Sequence, residues 1–342
     1  MPINNPTKPV LINVFTYTKI IHFSVRFKIG FVNLEAETYT MNLLTILGPT
    51  AIGKTKLAAL LASELSGEII SADSRQVYQG MDIGTGKDLD EYTVKGKSIP
   101  YHLIDIKKAG EEYNVFDFQQ DFYKAYTQIT LRRNQPILCG GTGLYLEAAL
   151  ASNKMIEVPR NSALRKELAV LNQQELNLEL RKLEPELHNE TDSTKIDRTI
   201  RAIEILTYKK EHPIPAKSPV VSSTIIGLKL ERTLIRERIE IRLNERLTSG
   251  MIEEVECLIR KGLSHEKLFY YGLEYRFISK YLRQEMAYEE MQVKLLQAIR
   301  KFAKKQMTWY RRMEKKGQKI HWIDAGLSDQ EKLNQALNLV GI

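Results

Sequence analysis

The chain has 342 residues, 43% hydrophobic and 27% charged, with a formal net charge of +8 at pH 7. That composition is the one expected of a soluble globular protein, long enough for one large domain or two modest ones. There is no apolar run long enough to span a membrane, and Cys139 and Cys257 form no CxxC pair; a membrane span, a disulfide framework and a zinc ribbon are therefore excluded, and a reducing cytoplasm is the expected location.

Residues 1–40 contain no acid before Glu35, and Lys19, His22, Arg26 and Lys28 interrupt their apolar runs, unlike a secretory h-region. They read as an extension without function, a mitochondrial address being the alternative. The domain pattern starts at Met41. "NLLTI" suits a buried strand, and "KLAALLASELSG" sets Leu57, Leu60, Leu61 and Leu65 at helical spacing with Gly67 as a stop signal.

Between that strand and helix lies "LGPTAIGKT", which fits G-x-x-x-x-G-K-[ST]. The loop of Gly48, Pro49, Thr50, Ala51, Ile52 and Gly53 turns backbone N–H groups and a helix N-terminus toward an anion. Lys54 adds a point charge, and Thr55 supplies a hydroxyl for Mg²⁺. The stretch predicts a polyphosphate site.

"GEIISADS" and "PYHLIDI" then read as strands, "FDFQQDFYKAYTQITLRRN" as a helix, and "QPILCGGTGLYLEAAL" as strand, glycine turn and helix. This βαβ rhythm predicts an α/β fold with a mainly parallel sheet and flanking helices. Ligands in such sheets sit beyond the carboxyl ends of strands. The P-loop, "ADSRQ" at 72–76 and "GGTG" at 140–143 fall there.

The rhythm stops near Val158. Residues 158–221 are helical in pattern and are expected as a small insertion that divides the core into 41–157 and 222–326. "PIPAKSPVVSS" reads as a linker and "TIIGLKL" as a returning strand. "RTLIRERIEIRLNERLTSG" and "IEEVECLIRKG" follow as helices, then a long helix, with 327–342 as a tail. From Lys294 to Lys319 the chain carries ten basic residues and one acid, Glu314. That is either a solvated face or a polyanion contact. Phe302, Trp309 and Tyr310 within it suit core anchoring as well as base stacking.

Taken in order, "GPTAIGKT", "SADSRQVYQGMDIGTGK", "YHLIDI", "GGTGLYLEA", "RTIRAIEI", "RIEIRLNERLTSGMIEEV", "YGLEYR" and "FAKKQMTWYR" resemble the tRNA dimethylallyltransferases, from Met41 to about Asp324. The resemblance implies a P-loop NTPase-like fold and transfer of a dimethylallyl group from its diphosphate to N6 of adenosine 37 in tRNA. It implies that the P-loop holds the donor diphosphate rather than ATP, with Mg²⁺.

Asp73 takes the general-base position of that family; read alone, an Asp-Ser before a helix is equally a helix N-cap. Thr50 and Arg238 match the other catalytic positions, on the bridging oxygen and the diphosphate. The target base must be extruded to reach a buried donor. Asp73, Ser74, Arg75, Gln76 and Thr142 match positions near that base, and Arg165, Asp197, Arg198 and Arg201 match tRNA-contacting positions in the insertion. A monomer is expected.

The chain departs from the family pattern in four places. It has Tyr101 and His102 where two histidines are common, Lys87 and Asp88 for a Lys-Pro, "YGLEYR" for an "IGYKE"-like stretch, and a short insertion. These put recognition of flanking tRNA bases in question. Asp105 imitates a Walker-B acid, yet a plain strand-end aspartate fits as well. No C-terminal zinc finger is present, as in a bacterial-type enzyme. The rival readings are a P-loop small-molecule kinase, an adenylate isopentenyltransferase and a non-catalytic RNA-binding protein. The kinase gives no reason for an arginine-bearing helical insertion, and the RNA binder gives none for Asp73 and the P-loop.

Overall fold

The structure is a computed structural model that describes residues 41–151, 155–185, 195–212 and 221–341. The extension at 1–40 and most of the linker expected at 213–223 lie outside the described residues.

In chain order the first half holds β1 (Leu43–Leu47), α1 (Lys54–Leu65), β2 (Gly67–Ser71), β3 (Thr93–Val94), β4 (Lys97–Ser98), β5 (Tyr101–His102), α2 (Val115–Leu131), β6 (Gln135–Gly140) and α3 (Gly143–Leu150). Three helices follow: α4 (Ser162–Leu168), α5 (Gln173–Leu183) and α6 (Ile196–Glu211). The second half has β7 (Ser223–Lys229), α7 (Arg232–Thr248), α8 (Met251–Arg260), α9 (His265–Tyr270), α10 (Leu273–Leu282), α11 (Tyr288–Lys315), β8 (Ile320–Asp324) and α12 (Asp329–Val340).

Six strands form one sheet in the order β5-β2-β6-β1-β7-β8, and every pairing in it is parallel. β1 sits inside it with all five residues buried, as an apolar run covered on both faces requires. Its pleat sends Leu43 and Leu47 to one side and Leu44 and Ile46 to the other. The first pair joins a core with α2, α3, α7 and α11. The second joins a core with Leu57, Ala58 and Leu61 of α1 and Leu333 and Ala336 of α12. The fold is thus α/β, mainly parallel with helices on both faces.

Three local expectations need correction. The stop of α1 is Ser66, in the left-handed region at φ 50, while Gly67 opens β2. "PYHLIDI" pairs over Tyr101 and His102 only, because Leu103 and Asp105 take φ values of 63 and 56, which no strand tolerates. Residues expected as a tail hold α12, begun by a capping box between Ser328 and Glu331. β8, not expected from the sequence pattern, is the sheet's last strand.

Helices α4 to α6 carry a separate small core of Leu168, Leu176, Leu180, Ile200 and Ile203. Asn172 starts α5 with a capping box to Glu175, so the short helix is begun by its own polar residues.

Candidate active site

The P-loop bends from β1 into α1 through two left-handed residues, Ala51 at φ 60 and Gly53 at φ 85. Lys54 Nζ donates to the Pro49 carbonyl at 2.7 Å, which holds the ammonium across the mouth of the loop. Burial lowers the Lys54 pKa to about 8, and Arg242 pushes the same way. An anion entering the loop restores the favoured charge.

The loop is braced from the far end of the chain. Gln306 on α11 accepts from Thr50 N at 3.0 Å and donates to the Gly141 carbonyl at 2.9 Å. One turn on, the Tyr310 hydroxyl donates to the Gly48 carbonyl at 2.9 Å. A Cβ on Gly141 would lie 2.4 Å from the Gln306 amide, so the "GGTG" turn needs glycine to admit this brace. Tyr310 is fully buried, and Trp309 packs at Gly143, with Arg312 over its ring at 4.0 Å. These two aromatics anchor the core, while Phe302 is exposed.

Asp73 follows the end of β2. Its Oδ1 accepts from Arg75 N at 2.8 Å, so it closes a turn and caps no helix. No cation pairs with its carboxylate among the described residues. Ser74 N donates to Thr142 Oγ1 at 3.1 Å, which ties this turn to the "GGTG" turn after β6. Gln76 is fixed at both ends, by the Ser71 hydroxyl at 3.1 Å and the Gly86 carbonyl at 3.0 Å.

A cavity of about 730 Å³ opens beside the P-loop, lined by Gly53, Lys54 and Thr55 and by Arg238, Arg242 and Arg246 of α7. Four-residue spacing puts the three arginines on one stripe, next to the buried Ile239, Leu243 and Leu247. Arg238 donates to the Ala325 carbonyl at 3.3 Å, which steadies it against the end of β8. Arg242 pairs with Asp88, and Arg246 lies 3.9 Å from the same carboxylate. Burial and the neighbouring Arg242 lower the Arg246 pKa. The Arg246 guanidinium occupies the space a Cβ on Gly86 would need, with 1.5 Å between them.

Asp105 serves none of this. It pairs with Lys87, which is 1% exposed and also reaches Asp82 and the Tyr78 carbonyl at 2.7 Å. Lys87 is a structural rivet under the loop that carries Asp88.

Arg165 and Arg201 converge on Glu204, which is 2% exposed. Arg165 binds it through two bonds of 3.0 and 2.8 Å, and the Asn161 N–H adds a third at 2.6 Å. Burial by itself would raise the Glu204 pKa; these bonds outweigh it and lower the pKa to about 2. Asp197 and Arg198, at the start of α6, are exposed.

The structure therefore brings Thr50, Lys54, Thr55 and Arg238 around one cavity system, links the turn of Asp73, Ser74 and Arg75 to Thr142, and holds Gln76 next in the chain through Ser71 and Gly86. Arg165, Asp197, Arg198 and Arg201 sit on the separate helical lobe. Sequence reasoning missed Arg242, Arg246 and Gln306, and for Tyr310 it offered core anchoring or base stacking but not the bond to the P-loop. The arginine spacing in "RERIEIRLNER" carried a signal for the first two. Gln306 and Tyr310 carried none beyond a polar pair at i, i+4 on an apolar face.

A phosphate cradle at the end of a parallel strand, with a carboxylate turn beside it and arginines closing from a later helix, defines a P-loop α/β enzyme acting on a phosphate-bearing substrate. A sequence model described as IPP transferase matches residues 76–313, and one described as isopentenyl transferase matches 41–101. The chain is 51% identical over 294 residues to tRNA dimethylallyltransferase 2 of Bacteroides fragilis, covering 86% of this chain and 96% of that one. It is 52% identical over 300 residues to tRNA dimethylallyltransferase 2 of Porphyromonas gingivalis, covering 87% and 99%. A solved full-length tRNA isopentenylpyrophosphate transferase from Bacillus halodurans superposes with a TM-score of 0.64 at 32% identity, over 88% of this chain and 96% of that one. The chain belongs to the IPP transferase family, the tRNA dimethylallyltransferases. No helix among the described residues is long and apolar enough to cross a membrane.

Proposed function

We propose that the chain transfers the dimethylallyl group from dimethylallyl diphosphate to N6 of adenosine 37 in tRNA, as a monomer in the cytoplasm. The observation that carries this reading is the joining of the two half-sites: Gln306 bonds both the P-loop, at Thr50, and the "GGTG" turn, whose Thr142 holds the Asp73 turn. Cradle and carboxylate are thereby set at a fixed separation.

The N6 lone pair forms the new bond to the allylic carbon, the carbon–oxygen bond breaks with its electron pair going to diphosphate, and the N6 proton passes to Asp73. The adenine amine is weakly basic, so proton acceptance contributes about 10²–10⁴-fold. Lys54, Arg238 and the Thr50 hydroxyl meet the charge that grows on the leaving oxygens. The loop of Gly48, Pro49, Ala51, Ile52 and Gly53 contributes backbone dipoles. Ser74, Arg75, Gln76 and Thr142 line the path of the extruded base. Arg198 and Asp197 face the tRNA from the lobe, where Arg165 and Arg201 shape the contact surface.

Among the described residues no three His, Cys, Asp or Glu side chains gather into a metal cage. Thr55, at the start of α1 and on the cavity wall, fits Mg²⁺ held by one protein hydroxyl with substrate phosphates and water. When bound, Mg²⁺ neutralises charge on the diphosphate.

The test is incubation of the protein with Mg²⁺, unmodified tRNA and labelled dimethylallyl diphosphate, without ATP. Label in the tRNA is expected, and its absence with Lys54→Ala. Label in free AMP alone would make the chain an adenylate isopentenyltransferase. Phosphate transfer from ATP without prenyl transfer would make it a small-molecule kinase.

A further inference from the structure

The departure "YGLEYR" is preceded by "KLFY", which ends α9 at Tyr270. Tyr270 is 44% exposed, an unusual placement for an aromatic ring that is also firmly held. Its hydroxyl donates to the Tyr113 carbonyl at 3.1 Å. Its edge packs on Tyr271 with centroids 5.3 Å apart and planes at 85°. Tyr271 is itself 1% exposed and accepts from Gly110 N at 2.6 Å. The Arg75 guanidinium lies over the Tyr270 ring, 5.4 Å from its centroid. Among the described residues the Arg75 guanidinium has no carboxylate partner, while its backbone N–H donates to Asp73 Oδ1.

We propose that Tyr270 and Arg75 form a stacking platform for a nucleobase that flanks the alkylated adenosine, making Tyr270 a specificity-determining residue of this enzyme. Three physical facts support the assignment. A ring and a guanidinium plane in contact offer flat, polarisable surfaces of the kind on which unstacked RNA bases settle. The ring is already immobilised, so little rotamer freedom remains to be lost on binding. Extruding one base leaves its neighbours without a stacking partner on that side, and the platform stands two residues from the carboxylate that meets the extruded base. A free guanidinium also suits the adjoining phosphate. The inference rests on the reading of the chain as a tRNA-modifying transferase.

The experiment measures binding and turnover of anticodon stem-loop RNAs by the full chain. The RNAs are intact, or abasic on the 5′ or the 3′ side of the target adenosine. Tyr270→Ala is expected to raise Kd and KM for the intact RNA by about 5- to 100-fold, with little effect on kcat. Tyr270→Phe, which keeps the ring, should stay near the parent. One of the two abasic RNAs should cost the parent a similar factor and cost Tyr270→Ala nothing more. Tyr270→Leu, which fills the volume without an aromatic face, should behave as Tyr270→Ala at an unchanged Tm. Equal losses by Tyr270→Ala on all three RNAs, or no loss on any, would overturn the platform. Failure of the parent to prenylate any RNA that it binds would instead strike the enzymatic reading, because stacking is read from binding alone.

Discussion

The α/β core and the helical lobe both carry arginines on helices, and they use them in opposite ways. On α7, Arg238, Arg242 and Arg246 line a cavity that also holds carboxylates; Asp88 pairs with Arg242 and lies 3.9 Å from Arg246, while Arg238 has no carboxylate partner among the described residues. Arg238, held only by the Ala325 carbonyl, is left to meet an anion from outside. In the lobe, Arg165 and Arg201 both pair with the buried Glu204, so each guanidinium is already claimed inside the protein. Counting arginines would rank the two regions alike. What separates them is whether a buried carboxylate already claims the guanidinium. The comparison also divides the lobe itself, since Arg198 is exposed while its neighbours in space are engaged.

The sharpest break in the comparison is at Asp73. Asp73→Ala should lower single-turnover kcat by roughly 10² or more while tRNA binding persists. Asp73→Asn keeps an acceptor for Arg75 N and should lose as much. Wild-type turnover in the Asn variant would reduce Asp73 to a turn former.

In the lobe the corresponding loss is structural. Glu204→Ala leaves two guanidinium groups around a void and should cost about 3 kcal/mol locally. Hydrogen exchange should speed up in α6 and stay slow in α1. Equal exchange in both elements would mean that the ion cluster carries no stability.

Acid and base should separate the regions next. Lys54 has a lowered pKa, so raising pH through about 8 removes the proton that an incoming anion needs. Diphosphate affinity should fall about tenfold between pH 7 and 9, and titration calorimetry reads it directly. The Glu204 pKa lies at about 2, below its ordinary 4.5. Its stabilisation is therefore complete above 4.5 and is lost as pH falls through about 2. Lobe unfolding at alkaline rather than acid pH would contradict the pairing.

The smallest effect belongs to Arg198. Arg198→Ala should leave Tm unchanged and reduce the slope of log affinity for tRNA against log salt by about 1. An unchanged slope would take Arg198 off the tRNA surface.

Sequence legibility followed the range of the interactions. The P-loop could be read because Gly48 to Thr55 is local: one strand, one turn and one helix carry their own signals. Asp73 and Thr142 could be placed because strand ends in a parallel sheet converge. Arg238 needed the family resemblance, since a stripe of arginines on a helix looks like a solvated face until the cavity is seen. The strand expected at 100–106 was curtailed by left-handed residues that an apolar pattern does not reveal. β8 was missed because "IHWID" is short and follows a charged helix. Gln306 was missed because its partners, Thr50 and Gly141, lie 256 and 165 residues away. No window along the chain contains both ends of such a bond.

That separation governs how the protein is born. A ribosome adds roughly 5–20 residues per second, so the residues that fix Thr50 and Gly48 are made on the order of 10–50 s after the loop itself. Until α11 leaves the exit tunnel, the nascent chain carries the P-loop sequence with its Thr50 N–H and Gly48 carbonyl unbraced. A chain arrested before Gln306 would expose the motif and lack the binding geometry. Prematurely ended products of this gene would therefore leave the isoprenoid donor pool untouched.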